Sequence, residues 1–268
     1  MRSNGVKIKQ VRVTESITPP KSDEFEVTIL GRGYGESIVL HLGDGNWIVI
    51  DSFEYGSGNV APLDYLSRMG VSHDKIAVVL ATHWHDDHVK GIAKVYEAAI
   101  NAEMVFSSAF RNDEFIIFIR DNLVLPPNKK ISSGLDELRR ISDINDRRKL
   151  PLMTVGAAHI VYRKHPGETS FGLPVIVETL SPSQSDINSF LKDLGFTRTS
   201  KSTRIAAKRN PVSVVAWASI GTASALLGAD LEETKHELRG WKAIVNSSRR
   251  PLAVRGNKCT SRQEPLPR

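Results

Sequence analysis

Three of the chain's eight histidines fall within six residues, in the run His83-Trp84-His85-Asp86-Asp87-His88, and this run limits the possible folds more than any other feature. It follows directly on residues 76–80, Ile-Ala-Val-Val-Leu, an unbroken apolar stretch of the kind found in strands buried on both faces. In open α/β folds, functional groups collect where such strands emerge into loops. Imidazole nitrogens suit zinc, iron and similar ions, and a carboxylate adds charge and a further ligand. His83 and His85 are two apart, so an extended turn can aim both at one ion. Asp87 and His88 are adjacent and can serve a second. Two ions about 3.5–4 Å apart can hold water as hydroxide and clamp the oxygens of a reacting ester or phosphate. The competing reading is a polar surface loop, which the clustering behind a buried strand argues against.

The rest of the chain supplies alternating elements. Residues 1–24 are a polar lead-in with Pro19-Pro20. Strands are expected at 25–30, 37–42 and 47–50, with Gly43-Asp44-Gly45-Asn46 as a hairpin turn. Residues 62–69 have helical spacing and stop at Gly70, and residues 89–100 carry Ile92, Val95, Tyr96 and Ala99 on one helical face. A strand around 104–106 and a helix around 113–120 follow. The loop 122–134 and the charged helix 135–148 are expected as a surface insertion, together residues 122–150. Further strands are expected at 160–163, 175–180, 212–218 and 223–227, with a helix at 183–194. Such alternation favours mixed sheets covered by helices.

A formal charge of +6 raises the question of nucleic acid, but Arg249, Arg250, Arg255, Lys258, Arg262 and Arg268 against Glu264 carry most of it. The tail 249–268 is therefore read as basic, disordered and solvated. The stretch Arg198, Lys201, Arg204, Lys208, Arg209 could meet phosphates near a site, but without interleaved aromatics a solvated loop is the simpler reading. A lone cysteine, Cys259, excludes an internal disulfide framework and, with no signal-like or spanning stretch, gives cytoplasmic as the expectation. Gly31-Arg32-Gly33-Tyr34-Gly35 precedes a hairpin instead of a helix, so it is not a dinucleotide loop. Ser37 and Ser213 lack the elbow of a serine nucleophile. His41 lies on a strand and His73 in a turn, where structural roles suffice.

The histidine run resembles the His-x-His-x-Asp-His motif of the metallo-β-lactamase superfamily. Gly33-Tyr34-Gly35-Glu36-Ser37 resembles the Gly-x-Gly-[Asp/Glu]-Ser turn of the bacterial-type branch that includes the metallohydrolase domain of DNA-uptake channel proteins. Ile48-Val49-Ile50-Asp51-Ser52 resembles the superfamily's first motif. Asn210-Pro211-Val212-Ser213-Val214-Val215 and Leu226-Leu227-Gly228-Ala229-Asp230 resemble that branch's later motifs. The similarity runs from about residue 25 to about 245. It implies an α/β (α+β) fold, a four-layered αββα sandwich filling residues 25–248, with the metal site at one edge.

The resemblance also implies roles. His83 and His85 would hold one ion, Asp87 and His88 a second, and Asp230 would bridge them. Asp87 would have the catalytic task of orienting the attacking hydroxide, and Asp51 would brace the loops. Asp230 could equally cap the helix expected after it. Asp86 is left to a supporting or solvent-facing role. His165 and His159 are candidates for a third ligand of the first ion. Zinc is the expected metal, with two ions, or one if the second site is incomplete; iron or manganese are the other options. The substrate is expected to be a small-molecule ester, a lactone or a phosphodiester, leaning to nucleic acid by branch resemblance alone, with no membrane partner.

One departure stands out. Members of the superfamily continue into a His-His-Gly-Ser-like loop that completes the second ion's site, whereas no histidine follows Trp241-Lys242-Ala243-Ile244. Codons able to encode residues 258–264 can, in a shifted frame, spell Ser-Ala-His-His-Gly-(Lys/Arg)-Ser. The C-terminal part is therefore expected to be incomplete through truncation or a frameshift, which the nucleotide sequence decides. Two other functions follow from the same residues: a degenerate member that binds metal without catalysis, or an iron redox member of the same fold.

Overall fold

The computed structural model describes residues 7–8, 18–32, 35–111, 133–199 and 210–248. Two sheets face one another. The larger contains, in spatial order, β1 (Lys7–Ile8), β2 (Phe25–Arg32), β3 (Gly35–Leu42), β4 (Trp47–Ile50), β7 (Ile76–Ala81), β8 (Glu103–Ser107) and β9 (Met153–Val155). The hairpin half of this sheet, β2-β3-β4, is antiparallel, and β4, β7, β8 and β9 run parallel. The smaller is antiparallel throughout, in the order β10 (His159–Lys164), β11 (Val175–Thr179), β12 (Ala216–Ile220), β13 (Ala223–Leu227). A two-stranded ribbon, β5 (Glu54–Tyr55) and β6 (Asn59–Val60), lies apart.

Strand alternation sorts the apolar side chains into two layers. Ile38, Leu40, Ile48, Ile50, Val78 and Leu80 face Val175, Val177, Ala216 and Ala218 between the sheets. Their neighbours Val39, Val49 and Val79 point the other way, onto helices. That outer layer comprises α1 (Ala61–Arg68), α3 (Ile92–Ala98) and α4 (Ser133–Arg148), with Phe190 of α5 (Gln184–Thr199) joining it. On the far side, α6 (Gly240–Asn246) packs Ile244 against Val215 and Leu231. The order is helix, sheet, sheet, helix: the αββα sandwich expected from the sequence.

The differences have local causes. The helix expected over 89–100 is broken into α2 (Asp86–Val89) and α3, because Gly91 adopts φ +84, a left-handed conformation that glycine enters without strain. A Cβ there would lie 3.0 Å from Glu54 Cγ and 3.1 Å from Val60 Cγ2. The strand expected from 212 begins at Ala216, since Asn210–Val212 forms a 3-10 turn and Val214 N–H bonds to Thr82 O instead. The surface insertion is corrected in part: α4 buries Leu135, Leu138, Ile141 and Ile144 in the outer core. Its many charges hid an apolar face repeating every three or four residues. The helix expected at 113–120, the side chains of the basic stretch 198–209 and the tail 249–268 lie outside what is described. Among the described residues no helix is long and apolar enough to cross a membrane.

Candidate metal centre

At the carboxyl end of β4 the chain turns through Asp51 at φ +58, a conformation that Asp tolerates better than most residues. Its backbone N–H bonds to Leu80 O, and its carbonyl accepts the Ser37 hydroxyl at 2.8 Å. The buried carboxylate thus faces the parallel neighbour β7. Oδ1 accepts the Thr82 N–H at 2.7 Å, and Oδ2 accepts the Thr82 hydroxyl at 2.6 Å and His88 Nδ1 at 2.8 Å. Three hydrogen bonds from Thr82 and His88 converge on it, so Asp51 braces two loops; its membership in a potential Asp51–His83–His88 ligand group is better read as this hydrogen-bond network.

The network also sets tautomers. Because the Thr82 hydroxyl gives its hydrogen to Asp51, its oxygen can only accept from His83 Nδ1, 3.0 Å away. His83 therefore carries its proton on Nδ1 and turns Nε2 toward His85 Nδ1 at 2.9 Å and Asp230 Oδ2 at 3.8 Å. His88 gives Nδ1 to Asp51 and directs Nε2 toward Asp230 Oδ1 at 3.5 Å. Orientation of a ligating imidazole by a carboxylate or hydroxyl on its far nitrogen is the usual second contact of metal sites.

Asp230 arrives from the other sheet. β13 ends at Leu227, and Ala229 at φ +45 turns the chain so that the half-buried Asp230 meets the histidine rings. The turn before β12 holds this loop, with Asn210 Nδ2 donating to Glu232 Oε1 at 3.1 Å. Donor atoms of His83, His85 and Asp230 lie within 4.8 Å of one another. This set fits a divalent ion: two imidazoles and a carboxylate, with one imidazole locked in the ligating tautomer.

Charge is concentrated here. The buried His88 imidazole is pushed up to about 11; burial itself favours the neutral ring, but the Asp230 and Asp51 carboxylates more than offset it. Asp230 is held below the usual carboxylate range, chiefly by its hydrogen bond with His88. Glu36, named only as part of a turn motif in the sequence, proves to be a neighbour. It shares a strand face with Ile38 and Leu40, and burial raises its carboxyl, with Asp51, Asp230 and Asp87 adding to the effect against His88.

Not every expected residue converges. Asp87 sits half-buried in the first turn of α2, outside both three-residue groups. His165 is not brought to the site. It follows β10 at the end where Lys164 pairs with Val175 and Val175 with Ile220, whereas Asp230 follows the opposite end of β13. Exposed there, His165 forms a capping box with Glu168. His159 is at the near end but on the edge strand farthest from β13, and is exposed. His41 packs at a tilt against Trp47 and bonds to Glu24 O, and His73 bonds to Ser67 Oγ and Leu63 O of α1. Ser213 is fully buried, so no substrate reaches its hydroxyl. Thr82 was the main residue missed. Only its place between a buried strand and His83 signalled it.

Residues 30–123 match the family model of the metallo-beta-lactamase superfamily. Among solved structures the chain is similar to MIM-2 metallo-beta-lactamase, at 15% identity over 71% of this chain and 53% of that one, TM-score 0.36. It is also similar to the hydrolase AbOPH of the beta lactamase superfamily, at 15% identity over 55% and 52%, TM-score 0.32. A third is the flavodiiron protein from Giardia intestinalis, at 16% identity over 53% and 26%, TM-score 0.28. The chain spans about half the length, or less, of these three structures. No curated protein matches it. The family match does not single out the DNA-uptake branch.

Proposed function

We propose that the chain is a metal-dependent hydrolase, with zinc as its metal, acting on an ester, a lactone or, by preference, a phosphodiester. The observation that carries this reading is the convergence of His83, His85 and Asp230 on one point, with His83 and His88 oriented from behind by Thr82 and Asp51. Divalent ions bound there would supply Lewis-acid polarisation and activate water near neutral pH.

The chain's own residues have definable tasks. His83, His85 and Asp230 would hold the first ion; His88, Asp87 and Asp230 would hold the second. Asp51 keeps the His88 proton on Nδ1, so that Nε2 faces the site. Asp87, in the first turn of α2, would orient the attacking water, the catalytic role assigned to it by resemblance. Glu36 adds a carboxyl group on the inter-sheet face beside these residues. A nucleic-acid substrate and a cytoplasmic setting belong to this proposal as well.

A single-ion, non-catalytic form is the second reading, favoured by the position of Asp87 outside the converging groups. Elemental analysis per chain, with a panel of phosphodiester, lactone and β-lactam substrates, separates the two. Two zinc ions and turnover that His85→Ala abolishes support the hydrolase. One ion with no turnover supports the second reading, and no bound metal overturns both. Iron in place of zinc would instead indicate the redox member.

A further inference from the structure

Asp86 stands in the middle of the ligand run yet belongs to neither group of candidate donors. Its Oδ1 instead accepts the backbone N–H of Gly134 at 2.8 Å, across 48 residues of sequence. Gly134 lies in the first turn of α4, where amides have no partner within the helix and where a negative charge is favoured. Two further contacts join the same pieces. A Cβ on Gly134 would lie 2.3 Å from Trp84 O and 3.3 Å from Val89 Cγ2, so the helix start rests directly on the ligand loop. One turn on, the buried Glu137 accepts Ala93 N–H at 2.9 Å, just beyond the loop.

The far end of α4 is held as firmly. The Tyr96 hydroxyl donates to Asn145 Oδ1 at 2.6 Å, and Arg148 donates to Tyr96 O and Glu97 O, each at 3.0 Å. Trp84, between the first two histidines, is buried against Phe190 with ring centroids 5.5 Å apart. The ligand loop is thus gripped by α4 on one side and α5 on the other.

From this geometry we infer that Asp86 is a positioning residue: it fastens the ligand loop to the start of α4 and so sets the spacing of His83, His85 and His88. The inference rests on the metal-site reading but not on hydrolysis. It needs an acceptor at position 86, not a charge, which makes Asn the telling substitution. Cobalt(II), added alone to the purified full chain, reports affinity and ligand geometry through its visible absorption. Asp86→Ala is expected to weaken cobalt binding about tenfold or more and to change the spectrum, as loss of a supporting contact does, and Gly134→Ala should do the same by pushing Trp84 O aside. Asp86→Asn should stay near wild type. Asp86→Asn as damaging as Asp86→Ala would overturn the inference by showing that the charge acts directly, and an unaltered Asp86→Ala would overturn it outright.

Amide exchange of Val89 and Lys90 in metal-free protein gives a second reading. Their N–H groups bond to His85 O and Asp86 O and should exchange faster in Asp86→Ala but not in Asp86→Asn. If wild type binds no cobalt, the metal-site reading fails, and this exchange measurement alone decides the positioning role: equal rates in all three proteins overturn it.

Discussion

Asp51 offers the sharpest test of how the site is built, because two substitutions there should separate stability from metal binding. In Asp51→Ala three hydrogen bonds to a buried carboxylate vanish, from Thr82 N, Thr82 Oγ1 and His88 Nδ1. Taken singly each would be worth about 1.5–3 kcal/mol. They share one carboxylate, so they do not add, and breaking a buried charged pair typically costs about 3–5 kcal/mol. Alanine at φ +58 adds about 1 kcal/mol of backbone strain. The expected loss is about 4–6 kcal/mol, most of the stability of an ordinary domain.

Asp51→Asn differs. Its Oδ1 still accepts from Thr82 N–H, and Asn tolerates the positive φ, so the stability loss should be about 1–2 kcal/mol. Its Nδ2, however, presents hydrogens to His88 Nδ1. His88 must then accept there and carry its proton on Nε2, the nitrogen that faces Asp230. Metal affinity at the His88 position should fall about 10–100-fold. Urea denaturation of chelator-treated protein gives the stabilities, and competition against a coloured chelator gives the affinities. An Asn variant that binds both ions within twofold of wild type would refute the tautomer argument, and an Ala variant losing under about 1.5 kcal/mol would refute the brace.

Three other outcomes follow. His165→Ala should leave metal affinity within about twofold, far short of the 10–100-fold that loss of even a supporting contact typically costs, because the residue sits at the opposite end of the sandwich; chelator competition checks this. Gly43→Ala should cost about 2–4 kcal/mol in urea denaturation without changing metal content, since φ is +80 and the new Cβ would meet Phe171 Cε1 at 2.3 Å. Glu137→Gln should be more stable than wild type at pH 7 and equal to it near pH 4. Burial raises the Glu137 carboxyl above its ordinary 4.5, so the folded state holds that proton more tightly than the unfolded chain. The contribution is complete below 4.5 and is lost as pH rises through the raised value, whereas Gln stays neutral and keeps an acceptor for Ala93 N–H.

The sequence revealed the sheets more readily than the helices. Residues 76–80 announced a strand buried on both faces by an unbroken apolar run, and Gly43-Asp44-Gly45-Asn46 announced the hairpin leading into the strand at 47–50. The apolar face of α4 was obscured because eleven of its sixteen residues are charged or polar, leaving only Leu135, Leu138, Ile141, Ile144 and Gly134. The break at Gly91 was equally hidden, since a glycine in an otherwise helical pattern does not disclose its φ. The short β5–β6 ribbon and β9 carry too few residues for any period to show.

For the site, local spacing and tertiary assembly contribute different parts. The run from His83 to His88 is compact enough that its chemistry is visible without a fold. Thr82 is not, because its role exists only when Asp51 lies across the β4–β7 pair. Asp230 depends on more still, for it approaches from the second sheet, 142 positions after His88. A ligand set drawn from both sheets has a thermodynamic consequence. An ion held by His83 and His85 on one side and Asp230 on the other would bind only when the two sheets are docked, so its binding free energy adds to the stability of the sandwich. Metal would then hold the edge of the sandwich where the apolar core between the sheets gives way to charged residues, the place where the carboxyl groups of Asp51, Asp230 and Glu36 otherwise crowd around His88.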